Sequence, residues 1–126
     1  LCAFEDIVLC IEPNAKEYGC NFINNTTQAL SFVEYVNHNN FKLNMDTSTM
    51  IMNEENIEEC IMKAIKNISH FHLSFPNLGP IKDGLIDFYS IFSLLSRLGY
   101  DNAVSVEMRP TNNLNIEAAL KILNRD

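Results

Sequence analysis

Four side chains able to bind a metal ion stand at the ends of four separate apolar runs, and they are Glu12, Asp46, His72 and Glu107. A single run ending in a polar residue means little, because loops are polar, but here every run ends this way. Carboxylate oxygens and an imidazole nitrogen suit Mn²⁺, Mg²⁺ or Co²⁺ better than they suit ions that prefer thiolates. The pattern therefore predicts a divalent metal site, and the sequence does not choose among Mn²⁺, Mg²⁺, Co²⁺ and Zn²⁺.

Two histidines lie in the third run, at His70 and His72. Their spacing of two places both side chains on one face of a strand. Only one of them is needed as a ligand, and His72 is the better candidate because it is nearer the carboxyl end of the run. His70 is then either a substrate contact or a hydrogen-bonded interior residue.

The carboxylates of Glu12 and Glu107 form a candidate acid/base pair. If they lie on opposite faces of a bound sugar, one can remove a proton beside a carbonyl group while the other returns a proton. A metal ion would polarise that carbonyl group and stabilise the resulting enediolate. The hypothesis is a proton transfer, and the competing route is a metal-assisted hydride shift.

The elements that must position these residues follow from the hydrophobic pattern. Short runs rich in β-branched and aromatic residues predict four strands. These are Ile7–Glu12, Phe41–Asp46, Ser69–Ser74 and Ala103–Glu107. Apolar residues at helical spacing predict four helices. These cover Thr27–Val36, Glu54–Ile68, Asp87–Leu98 and the stretch from about Asn115. The expected N-caps are Thr26 or Thr27, Asn53 and Asp87, and Gly99 is the expected C-cap.

Alternating strands and helices predict right-handed βαβ units and a parallel sheet. The strands end at positions 12, 46, 74 and 107, so one unit recurs about every 30 residues. A TIM barrel of about 250 residues uses roughly 31 residues per unit, and its strand ends converge on the active-site mouth. The predicted fold is therefore α/β, about half of a TIM barrel. The alternative, a small doubly wound domain, needs a glycine-rich turn where this chain has Glu12-Pro13-Asn14.

Composition narrows the function further. The chain of 126 residues is 47% hydrophobic and carries a formal net charge of −7, which argues against binding to nucleic acid or to an anionic membrane surface. No apolar run approaches the roughly 20 residues of a membrane span. Four cysteines without metal-like spacing indicate reduced thiols in a cytoplasmic protein. The start without Met, almost directly in a strand, suggests a segment of a longer chain.

Five ordered blocks of the sequence resemble the xylose-isomerase-like TIM barrel superfamily. The blocks begin at Cys10-Ile11-Glu12-Pro13-Asn14, Leu43-Asn44-Met45-Asp46, Ser69-His70-Phe71-His72, Leu78-Gly79-Pro80 and Leu98-Gly99-Tyr100-Asp101. The last block continues into Val104-Ser105-Val106-Glu107. More narrowly, the chain is similar to the sugar-phosphate isomerase/epimerase branch, which includes ketose 3-epimerases and hydroxypyruvate isomerase. The resemblance runs from about residue 6 to about residue 110.

The resemblance implies a divalent metal held by the four strand-end residues, with Glu12 and Glu107 as the acid/base pair and a carbohydrate as substrate. It also implies that residues 1–126 are the C-terminal half of the barrel, strands five to eight. The missing N-terminal half would be a partner of this chain. Because a half barrel has two open strand edges, we expect it to pair with that half or with another copy as a homo-oligomer.

The sequence departs from ketose epimerases at three positions. Thr49 stands where those enzymes have a histidine, Leu78 where they have an arginine, and Tyr18 where they have a second glutamate. In ketose epimerases the histidine, arginine and glutamate bind substrate hydroxyl groups. Their replacement in this chain leaves the substrate class open. The substitute contacts we expect are His70, Asn77, Lys82 and Arg109.

Two other functions remain alternatives. The altered substrate positions would also suit a degraded barrel or a non-catalytic binding protein that keeps the fold. Endonuclease IV shares the superfamily, but its three-zinc site needs further histidines, including one at the position of Thr49. With three histidines and a net charge of −7, the chain is a poor candidate for DNA repair.

Overall fold

The computed structural model describes residues 6–81 and 86–110, together with positions 117, 120 and 121. Its centre is a four-stranded sheet in the order β1-β2-β3-β4, with every neighbouring pair parallel. The strands are β1 (Leu9–Ile11), β2 (Phe41–Asp46), β3 (Ile68–Ser74) and β4 (Val104–Glu107). The predicted parallel sheet is confirmed, and the predicted bounds of β2 are matched at both ends.

In the part of the chain that the structure describes, four α-helices and three short 3₁₀ helices connect the strands. The α-helices are α1 (Thr26–Val36), α2 (Thr47–Met52), α3 (Ile57–Ala64) and α4 (Phe88–Arg97). The 3₁₀ helices are Lys16–Tyr18, Ile65–Asn67 and Pro76–Leu78. No helix in the described part of the chain is long and apolar enough to cross a bilayer.

The helix ends differ from the predicted caps at two of three places. Asn25 and Asn56 are the N-caps of α1 and α3, and each side chain accepts a hydrogen bond from a backbone N–H of the first turn. Asp87 caps α4 as predicted, and Gly99 follows that helix with a φ of 76°. Helix α3 begins later than predicted because Glu54 has a left-handed φ of 55°, which interrupts a helix. The helix predicted from about Asn115 lies mostly outside the described residues.

Helix α2 was not predicted. It follows β2 without a loop because Asp46, the last residue of the strand, is also its N-cap. Oδ1 of Asp46 accepts a hydrogen bond of 2.9 Å from the backbone N–H of Thr49. The Thr-Ser-Thr stretch has a low helix propensity and therefore predicts a loop. The signal for the helix is the carboxylate that caps it.

The two faces of the sheet have opposite character. The helix-packed face of β2 and β3 carries four side chains that are at most 1% exposed, namely Leu43, Met45, Phe71 and Leu73. The other face carries polar side chains on every second residue, as the alternation of a strand requires. These are Asn44 and Asp46 on β2, His70, His72 and Ser74 on β3, and Ser105 and Glu107 on β4.

An irregularity between β2 and β3 determines which side of the sheet receives the histidines. Leu43 pairs with Ile68, but the next residue, Asn44, pairs with His70, so Ser69 is an extra residue. A one-residue change of register moves side chains to the opposite face. The bulge therefore lets Ile68 and Phe71 both join the core while His70 and His72 stay on the polar face.

Candidate metal centre

The carboxyl ends of the four strands bring the four predicted metal ligands together. One ligand atom from each of Glu12, Asp46, His72 and Glu107 lies within 4.8 Å of the other three. In the sheet, Asp46 pairs with His72 and Ser74 pairs with Glu107. The convergence thus follows from the register of a parallel sheet.

His72 lies at the middle of the cluster. Its Nδ1 is 3.0 Å from Oε1 of Glu12, 3.2 Å from Oε2 of Glu107 and 4.0 Å from Oδ2 of Asp46. This nitrogen donates a hydrogen bond when it carries a proton and is a metal ligand when it does not. Its lone pair and the three carboxylates then face the same point.

The Asp46 carboxylate is the most firmly held of the four ligands, with its side chain 7% exposed. Oδ1 accepts from the Thr49 N–H, and Oδ2 accepts a 2.6 Å hydrogen bond from the Ser74 hydroxyl. Both oxygens are thereby oriented by donors on different elements. Such partners fix the geometry of a metal-binding carboxylate.

A buried polar network extends from Asp46 between the ends of β2 and β3. The Thr47 hydroxyl donates to the carbonyl oxygen of Ser74 at 2.7 Å and accepts from its N–H at 2.9 Å. The backbone N–H of Ser48 donates to Oγ of Ser74 at 3.2 Å. Ser74, Thr47 and Ser48 are at most 1% exposed, so this network joins the strand ends through groups that water does not reach.

Asn44 orients Glu12 from the neighbouring strand. Its Nδ2 donates to Oε1 of Glu12 at 2.9 Å and lies 3.3 Å from Nδ1 of His72. Its Oδ1 is buried without a hydrogen-bond partner among the described residues. Sequence analysis missed both Asn44 and Ser74, although each lies on the polar face, two residues from a predicted ligand.

The electrostatics of the cluster fit a cation. Burial raises the pKa of the Glu12 carboxyl above its ordinary value; His72 opposes this rise, and the Asp46 and Glu107 carboxylates add to it. Among the described residues, no lysine or arginine lies within ion-pair distance of any of the three carboxylates. Oxygen-rich sites with one imidazole suit divalent ions, and such an ion would supply the missing positive charge.

A cavity of about 230 Å³ adjoins the cluster. Its walls include three of the ligands together with Asn14, Tyr18, Ser48, Asn77, Leu78 and Arg109. The Tyr18 hydroxyl accepts from the Asn77 N–H at 2.8 Å and lies 2.8 Å from Oγ of Ser48. One phenol therefore ties together the segments that follow the first three strands.

The predicted substrate contacts do not all lie in the cavity wall. Asn77 and Arg109 line the cavity. His70 does not line the cavity. It lies two residues before His72 on β3, farther from the carboxyl edge of the sheet, and its Nε2 is 3.0 Å from Oγ of Ser105. Burial and the adjacent His72 lower the pKa of His70. Lys82 lies outside the described residues.

A larger groove of about 550 Å³ lies elsewhere, between the segment before α1 and that helix. Its walls include Phe22, Phe32 and Tyr35 but no carboxylate, imidazole or thiol. The groove is thus separate from the ligand cluster and shares no residue with it.

The parallel strands, with polar side chains that converge at their carboxyl ends, are the architecture of a partial α/β barrel. A family model described as xylose isomerase-like TIM barrel matches residues 1–125, and the chain belongs to that family. A ketose 3-epimerase from Arthrobacter globiformis is 30% identical over 92 residues, which are 73% of this chain and 32% of that protein. The chain therefore spans about a third of the length of such a relative.

Solved structures agree on the fold. A D-psicose 3-epimerase from Clostridium cellulolyticum, solved with D-tagatose, has a TM-score of 0.71 and 28% identity, covering 91% of this chain and 41% of that one. An AP endonuclease, family 2, from Brucella melitensis has a TM-score of 0.83 and 24% identity, and the match covers 98% of this chain and 49% of that one. At that identity the second similarity concerns the fold alone.

The Asp46 network predicts the effect of one buried hydroxyl on metal affinity. Replacing Ser74→Ala removes the donor to Oδ2 and should weaken Mn²⁺ binding by about 10- to 100-fold, as is typical when a ligand loses its supporting partner. Isothermal titration measures the affinity. Ser93→Ala, at an exposed position of α4, is the matched control and should bind Mn²⁺ like the parent. Unchanged affinity in Ser74→Ala would show that the network does not orient the ligand.

Proposed function

We propose that the chain is part of a divalent-metal-dependent sugar or sugar-phosphate isomerase/epimerase that works by proton transfer. The observation that carries this proposal is the cluster of Glu12, Asp46, His72 and Glu107 beside a cavity. The similarity to a ketose 3-epimerase and a D-psicose 3-epimerase supports the same class of reaction.

The four clustered residues would hold the metal ion through one atom each. When bound, the ion would polarise a substrate carbonyl group and stabilise negative charge on its oxygen. Mn²⁺, Mg²⁺, Co²⁺ and Zn²⁺ all remain candidates for this donor set.

The positions of Glu12 and Glu107 suit a proton transfer between two faces of a substrate. They come from the two outer strands, while Asp46 and His72 come from the strands between them. Their side chains are also the most accessible of the four, at 31% and 44%. A sugar lying across the middle strands would have one carboxylate on each side.

In the proposed step, one glutamate removes the proton from the carbon next to the carbonyl group. The electron pair of that C–H bond moves toward the carbonyl oxygen, giving an enediolate. The other glutamate, protonated at the start, then donates its proton to the opposite face of the same carbon. The configuration inverts and no redox partner is needed.

The walls of the cavity would orient the substrate. Asn77, Ser48 and Tyr18 offer hydrogen-bonding groups, and Leu78 supplies an apolar surface. These contacts differ from those of ketose epimerases at Tyr18, Leu78 and Thr49, and Thr49 is 1% exposed and outside the cavity wall.

We also propose that residues 1–126 form the C-terminal half of the barrel. Solved structures of the fold are covered to 41% and 49% by this chain, which fits half of eight units. Ile7, Val8 and Leu9 at the β1 edge are 51%, 47% and 53% exposed. A further strand from an N-terminal half, or from a second copy, would cover these apolar residues.

Sedimentation velocity tests the half-barrel proposal. The isolated chain should associate with itself, because its strand edges at β1 and β4 offer unpaired backbone groups. Adding a separately produced N-terminal half should replace this self-association with a 1:1 complex. A monodisperse monomer that unfolds cooperatively and ignores the other half would contradict the proposal.

Solvent isotope incorporation tests the reaction. In deuterium oxide, the Mn²⁺-loaded complete barrel should place one deuterium on the inverted carbon of a ketose. Glu12→Gln and Glu107→Gln should each lower the rate by at least about 100-fold, the usual contribution of a positioned acid or base. Mass spectrometry and proton NMR of the product measure both effects.

The matched control is Glu34→Gln, an exposed carboxylate on α1, which should leave the rate unchanged. Turnover without deuterium incorporation would favour a hydride shift. Mn²⁺ binding with no turnover of any ketose or ketose phosphate would favour the non-catalytic binding protein.

A further inference from the structure

The cavity beside the ligand cluster contains one cationic side chain among the described residues, Arg109. Glu12, Asp46 and Glu107 contribute the carboxylates, and the remaining wall is neutral. Arg109 makes no ion pair with a carboxylate in the described part of the chain. A guanidinium at a cavity wall without an ionic partner is a natural site for an anionic group.

One hydrogen bond ties the backbone of Arg109 to a constrained segment. Its N–H donates a 2.9 Å hydrogen bond to the carbonyl oxygen of Leu78. Asn77 and Leu78 both have left-handed φ values, 60° and 53°, and the Asn77 N–H is held by the Tyr18 hydroxyl. Two successive non-glycine residues in this conformation are costly, so the contacts that hold them place Arg109 at a defined position on the rim.

Arg109 has a role to play in the reaction proposed above. The three carboxylates of the cavity wall would be engaged by the metal ion. The guanidinium of Arg109 would then have no carboxylate of the wall as a partner, and an anionic group of the substrate could take that place.

We infer that the substrate carries a phosphate or carboxylate group, held by Arg109, at the end away from the reacting carbonyl. This inference rests on the proposed function and specifies its substrate class. A neutral ketose offers the exposed guanidinium no group of opposite charge, whereas a phosphate or a carboxylate can accept two parallel hydrogen bonds from it. Arg109 is therefore a specificity-determining residue for an anionic sugar.

Calorimetry on the Mn²⁺-loaded protein with three five-carbon probes tests the inference: xylitol, xylonate and xylitol 5-phosphate. They differ in charge but not in chain length. At least one anion should bind about tenfold or more tightly than xylitol, since hydrogen bonds to charged groups are the stronger class. Preference for xylonate identifies a carboxylate, and preference for xylitol 5-phosphate identifies a phosphate.

Two arginine variants separate Arg109 from a general charge effect. Arg109→Gln should lower the affinity of the preferred anion about tenfold and leave xylitol unchanged. Arg97→Gln makes the same change of net charge at the C-terminal end of α4, the opposite end of the sheet, and should leave both affinities unchanged. The preference should also shrink with added salt.

The outcomes distinguish this inference from the proposed function. Equal binding of all three probes, binding of none, or an anion preference that survives Arg109→Gln would overturn the inference alone, because Mn²⁺ would still be bound. A parent protein that does not bind Mn²⁺ would overturn the metal site and, with it, this inference.

Discussion

The site depends on the close approach of three carboxylates, whose mutual repulsion a bound cation would offset. Three carboxylates converge on Nδ1 of His72 at the carboxyl edge of a parallel sheet, and no described lysine or arginine forms an ion pair with them. Burial above all, and then the two neighbouring carboxylates, raise the pKa of Glu12, so keeping its charge at this place costs free energy. A divalent ion would offset that cost, so the arrangement suits a metal site better than it suits stability alone.

Much of the polar face serves to keep these ligands in place. The bulge at Ser69 puts the histidines on the ligand side of β3. Asp46 ends a strand, caps a helix and receives the Ser74 hydroxyl, so one carboxylate fixes the β2–α2 junction. Local structure and site geometry are therefore coupled. A substitution in the buried network should weaken metal binding more than it disturbs the packing of the core.

The sequence was sufficient for the strands and for the residues that cluster at their ends, because both follow from short-range patterns. Apolar runs predicted four parallel strands, and the residues that end them are those of the cluster. It was insufficient for α2, whose cap is the last residue of β2, and for Asn44, whose contact with Glu12 spans 32 positions. The Ser69 bulge shows why: register depends on packing of Ile68 and Phe71 against the helices, which no local pattern records. Likewise, His70 lies inside β3 and away from the cavity, whereas Arg109 follows the end of β4 and lines the cavity.

The central claim is that the four strand-end side chains bind one divalent ion. Anomalous diffraction at the manganese edge, from crystals of the Mn²⁺-loaded protein, tests it most directly. We expect one strong anomalous peak in contact with Glu12, Asp46, His72 and Glu107. A peak bound elsewhere, or none at this edge of the sheet at saturating Mn²⁺, would contradict it.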